Sequence, residues 1–123
     1  MAEHQTHRIH VVLEGGPVAP LFIPLLDIQA GTTLLASQCT LTVSGAPSPL
    51  DVAVMLCKPE TVLGDPGDTV VYVSDTVSVI AGEPFVLPGS IPAIEQSGVL
   101  GLYVPVQTLP PGATVDGTLS TVR

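Results

Sequence analysis

The sequence predicts an all-β fold: a single antiparallel β-sandwich or barrel-like domain with extended Pro-rich arm segments and at most one short helical turn. Three observations point there. Short runs alternate apolar and polar residues with a period of two, as half-buried strands do. Clusters of Gly, Pro, Asp and Ser interrupt the chain at short intervals, the spacing expected of a sandwich. No segment sustains an apolar 3.6-residue period, and 13 prolines would break most attempts at a helix.

The first candidate strand is 7–13, preceded by a polar segment, 1–6, that reads as a tail. Residues 17–26 carry Pro17, Pro20 and Pro24 among bulky apolar side chains. Proline cannot donate to a sheet ladder, so this segment reads as an extended arm that lies on an edge or on a neighbour, with 18–23 of strand composition inside it. In 34–43, Cys39, Leu41 and Val43 share one face while Thr40 and Thr42 take the other. In 50–57, Leu50, Val52, Val54 and Leu56 fall together. Strands are also expected over 69–73, 75–80, 84–87 and 99–104, with Val77 and Val79 alternating against Thr76 and Ser78. Residues 113–122 place Val115, Gly117, Leu119 and Thr121 on one face, within a Pro- and Gly-rich stretch, 105–123, that reads as a C-terminal strand or arm. The single helical turn is expected at 90–98, where Ser90 caps, Pro92 sits in the first turn and Gly98 ends it. No repeat or low-complexity block divides the chain, so 1–123 is one domain.

Composition restricts function. Charged residues are 11% of the chain, against about 25% in a typical soluble domain. Mean hydropathy is +0.56. The longest uncharged stretch, 28–50, is broken by Gly31, Gly45, Pro47 and Pro49, so a bilayer-spanning helix is not expected. The opening residues lack the basic and apolar regions of a signal peptide, which predicts a chain made in the cytosol and left unprocessed. High apolar content with few charges predicts that part of the apolar surface is covered by other copies or by a partner. The net charge of −8, with Arg8, Lys58 and Arg123 as the only strong cations, argues against nucleic acid and against anionic membrane.

Candidate chemistry is thin. His4, His7 and His10 recur every third residue, but in an extended segment His7 faces away from the other two, so a polar terminus is preferred to a metal site. If 34–43 and 50–57 form a hairpin centred near Ser48, Cys39 stands opposite Cys57. Reducing conditions then favour two buried thiols over a bridge. Asp65-Pro66-Gly67-Asp68 is explained by a tight turn without calcium. Gly15-Gly16 lacks phosphate-binding spacing, and the serines lack a nucleophile elbow. With no Trp, two Phe and two Tyr, a sugar-stacking site is not expected either. The chain is therefore read as non-enzymatic and without a cofactor.

The Pro-rich apolar stretch 16–26, the turn-punctuated strands from Leu34 to Val104 and the Pro-Pro-Gly tail at 110–112 resemble the small accessory proteins of tailed-phage virions. These include head decoration (cement) proteins and small tail or connector subunits. The resemblance implies a β-rich module, often a symmetric oligomer, clamped onto a capsid lattice in the virion, with no cofactor. A trimer is the favoured order, and the expected partners are copies of the chain and a major capsid or tail protein. The expected interface anchors are Val18, Leu21, Phe22, Ile23, Leu25 and Leu26, with Phe22 foremost. The alternatives are a tail or connector subunit, or a cell-surface β-sandwich binding module, which a Cys39–Cys57 bridge would favour.

Overall fold

A computed structural model describes residues 3–15, 20–87 and 94–123. It forms two antiparallel sheets packed face to face, a β-sandwich and not a closed barrel. The strands are β1 (His4–Leu13), β2 (Leu21–Ile28), β3 (Thr33–Leu34), β4 (Thr40–Ser44), β5 (Leu50–Cys57), β6 (Val70–Val73), β7 (Val77–Val79), β8 (Phe85–Val86), β9 (Gly98–Val104) and β10 (Ala113–Val122). The first sheet runs β1-β10-β4-β8, with β3 also on β10; the second runs β2-β9-β5-β6, with β7 also on β5. No described helix is long and apolar enough to cross a membrane.

Alternation made these strands, and it also sorted their faces. Leu41 and Val43 of β4, Val115 and Leu119 of β10, and Ile9 and Leu13 of β1 point inward from the first sheet. Leu21, Ile23, Val52, Val54, Leu100 and Leu102 meet them from the second. Each such side chain contributes about 1.5–3 kcal/mol by leaving water. β5 is buried on both faces, since Ala53, Met55 and Cys57 are covered as well as Val52, Val54 and Leu56. Its ladders place it in the middle of the second sheet.

That placement corrects the expected hairpin. β9 occupies one edge of β5 over Ala53–Cys57, while β6 and β7 take the other. β4 is likewise held between β10 and β8. The chain therefore crosses from one sheet to the other after Ser44; Cys39, just ahead of β4, belongs to the main core and Cys57 to a separate cluster.

The termini are also more ordered than the sequence predicts. β1 starts at His4, and Glu3 already exchanges backbone hydrogen bonds with Arg123 at 2.8 and 3.0 Å. Residues 3–6 are therefore part of the sheet, not a tail. At the other end, β10 is a central strand, paired over ten residues with β1 and on its other edge with β4 and β3. Gly117 sits in it at φ +151°, where an added β-carbon would lie 2.0 Å from the Thr40 carbonyl oxygen. Only glycine lets the strands approach so closely. The segment between β9 and β10 is tied down as well. The Gln107 side chain accepts from the Asp51 N–H at 2.8 Å and donates to the Pro49 carbonyl at 2.7 Å. Leu109 is fully buried beside it in the core.

Among the described residues the helical content is two 3-10 turns, Ala36–Gln38 and Gly67–Thr69. Of the turn expected at 90–98, residues 90–93 lie outside the described residues, 94–97 are irregular, and Gly98 opens β9.

Candidate interaction surfaces

The Pro-rich segment is not an exposed arm where the structure describes it. Leu21–Ile28 is β2, paired with β9, and it accommodates Pro24 by a register shift between Pro24 and Leu26. Leu21 and Ile23 point into the main core and are fully buried. Phe22 points the other way and is also fully buried. Leu25 and Leu26 are partly buried against the main core. Leu21, Phe22 and Ile23 are thus wholly taken up by the chain's own fold, and Leu25 and Leu26 in part. Val18 lies outside the described residues.

Phe22 is buried because the β5–β6 connection is strapped over the outer face of the second sheet. The base of this loop is closed by the Lys58 N–H donating to the Thr69 carbonyl at 2.8 Å. Its middle reaches the far edge, where Phe22 and Gly64 exchange hydrogen bonds at 2.7 and 3.1 Å. Beneath lies a second apolar cluster of Phe22, Met55, Cys57 and Val99, with Tyr103 against it. Within the loop, the Asp65 carboxylate accepts from the Gly67 N–H at 3.0 Å, the local bond of a tight turn.

Part of the exposed apolar surface lies on this loop and on β6, the rest at Val12, Ile80, Val86 and Val106. Val62 and Leu63 on the loop are 73% and 41% exposed, and Val70 and Val73 on β6 are 37% and 45% exposed. Val70 and Val73 stand opposite Cys57 and Met55, which places them on the outer side of the sheet. Val62 and Leu63 carry no signal in the sequence, because a loop offers no periodicity to compare them with.

The second surface is the open edge of β1. Alternating from the Glu3–Arg123 pair, the odd residues of β1 turn their N–H and C=O groups toward β10. The even residues, His4, Thr6, Arg8, His10 and Val12, aim theirs outward, and no backbone partner meets them among the described residues. Their side chains are all exposed on the outer face. His10 Nδ1 donates to the Asp116 carboxylate across the strand pair, and this bond holds the Asp116 carboxyl below its ordinary value.

The histidines do not converge. His4 and His10 face outward, whereas the Nε2 of His7 lies 3.1 Å from the Thr121 hydroxyl. His7 lines an open cleft of about 210 Å³ between the ends of β1 and β2, with Glu3, Gln5, Asp27 and Arg123 around it. Among the described residues no three His, Cys, Asp or Glu side chains are grouped to hold a metal ion.

Both cysteines are free and buried. The Cys39 thiol lies 3.2 Å from the Leu35 carbonyl, and its sulfur accepts from the Ser120 N–H at 3.3 Å. Burial raises both thiols above their ordinary value, opposed by hydrogen bonds from Ser120 at Cys39 and Thr69 at Cys57. Neither is set up as a nucleophile.

No family model, curated protein or solved structure matches the chain. The class defined by its own geometry is a two-sheet antiparallel β-sandwich with an apolar outer strip and one long open edge.

Proposed function

We propose that this chain is a non-enzymatic assembly protein that binds other protein subunits, and that it works as a capsid decoration protein stabilising the head lattice of a tailed-phage virion. The observation that carries the assembly reading is the exposure of Val62 and Leu63 on the β5–β6 loop and of Val70 and Val73 on β6, in a chain with only 11% charged residues. Apolar side chains grouped on one face of a sheet are commonly covered by a partner. The net charge of −8 and three strong cations favour a protein partner over phosphate or anionic lipid. The resemblance in sequence character supplies the virion setting. A tail or connector role uses the same surface. The cell-surface reading draws no support from the cysteines, which are free, Cys39 in the main core and Cys57 in the separate outer cluster.

The test uses phage particles assembled without this chain. Purified chain added back should saturate them at a fixed ratio to the major shell protein and raise their resistance to heat. Absence of saturable uptake overturns the decoration reading.

A further inference from the structure

We infer that β1 is a self-pairing edge: two copies join β1 to β1 antiparallel about a two-fold axis, which fuses their first sheets into one continuous sheet. This deepens the assembly reading by naming a second copy as a partner, and it rests on that reading only in taking the chain to work in company.

β1 differs from every other edge among the described residues. Edge strands invite pairing with another chain unless they are short, bulged, Pro-bearing or covered. β2 has Pro24, a register shift and the Gly64 bridge. β6, β7 and β8 are four, three and two residues long. β1 runs ten residues in unbroken register with β10, and it contains no proline and no lysine. The outward N–H and C=O groups of its even residues form a complete row of donors and acceptors.

Charge and side-chain chemistry choose the occupant and the register. Antiparallel neighbours share a face, so paired residue numbers must have an even sum. A sum of 16 would oppose Arg8 to Arg8 of the second copy, and like charges directly opposite are unfavourable. A sum of 18 places Ile9 on the axis against its own copy and sets Arg8 opposite His10. Arg8 then lies beside the His10–Asp116 pair of the second copy, and the reciprocal contact forms on the other side of the axis. One of the three strong cations of a chain with net charge −8 thus approaches the Asp116 carboxylate from across His10, once on each side of the axis. Thr6 falls opposite Val12, and Gln5 opposite Leu13. The order is two-fold, in place of the trimer that the sequence suggests.

The experiment is the solution mass of the full chain by light scattering across a dilution series. The expected mass is twice the 12.6 kDa of one chain. A wild-type monomer at every concentration, or a three-fold assembly, overturns the pairing; particle uptake is measured separately and stands or falls by itself. Thr6→Pro removes an outward N–H and spares the β10 ladder, so it should halve the mass with an unchanged circular dichroism spectrum. Arg8→Glu, which leaves the backbone untouched, should raise the dimer dissociation constant at least tenfold. The double variant Thr6→Cys with Val12→Cys should cross-link into dimers on mild oxidation, while Arg8→Cys alone should not. Folded variants that keep the wild-type mass, or cross-linking through Arg8→Cys, would overturn the register.

Discussion

The ring of Phe22 lies over the bare backbone of Gly101 in the neighbouring strand. A β-carbon on Gly101 would come 2.7 Å from Cε1 of Phe22 and 2.1 Å from the Ile23 carbonyl oxygen. The glycine therefore leaves room for the ring on the outer face and for the backbone of β2 beside it.

This relationship makes Phe22 a stability residue. Phe22→Ala should cost about 3–5 kcal/mol, the usual loss for a fully buried Phe. Gly101→Ala should also destabilise, and adding Phe22→Ala should not rescue it, because the Ile23 carbonyl still obstructs the new methyl group. Chemical denaturation of the two single variants and the double variant checks this. Recovery in the double variant would mean that the ring alone sets the close approach.

The strip on the outer face should behave in the opposite way. Val62→Ser with Leu63→Ser removes exposed side chains, so stability should change by less than about 0.5 kcal/mol per site. Uptake by chain-free particles should fall at least tenfold. Thermal melts and a binding isotherm on the same preparation separate the two effects. Unaltered uptake would locate the binding surface elsewhere.

Acid should weaken the contact between the terminal strands. The His10 hydrogen bond lowers the Asp116 carboxyl below its ordinary 3.8, so the folded state holds that proton less tightly than the unfolded chain does. Its contribution is present above the ordinary carboxylate value and is lost as pH falls through the lowered one. Asp116→Asn should therefore flatten the acid limb of a melting-temperature profile below about pH 4 and change little at pH 7. The group is exposed, so the change should be small. A steeper acid limb in the variant would reverse the assignment.

Both thiols should be silent in the native state. Cys39 and Cys57 are buried and their thiols are raised by that burial, so a thiol reagent at pH 7 should modify them only as the chain opens. Denaturant should expose both at once. Rapid labelling of either in the folded chain would place it at the surface.

What the sequence disclosed was faces more than partners. The alternation of Leu41 and Val43, and of Val52, Val54 and Leu56, identified inward side chains that are indeed buried. It did not distinguish β4 paired with β5 from β4 packed across the core from β5, because both arrangements bury the same residues. The unbroken apolar run Val52–Cys57 showed that both faces of β5 are covered, but only the ladders with β9 on one edge and β6 and β7 on the other leave no place for its sequence neighbour. The polar opening misled for a different reason. His4 and Thr6 face solvent from an edge strand, and Gln5 and His7 line an open cleft, so neither face of that stretch looks apolar. The prolines near Phe22 suggested an arm because a proline in a strand needs an edge, and β2 is such an edge. The surfaces themselves were not legible. β1 has an open side only because β10 occupies the other, and Val62 and Leu63 matter only because their loop crosses a sheet.

The most direct test of the assembly reading is to quantify this chain against the major shell protein in gradient-purified phage particles. Co-sedimentation at a fixed, reproducible ratio that survives repeated washing is expected. A chain recovered at the top of the gradient, with none on the particles, would contradict it.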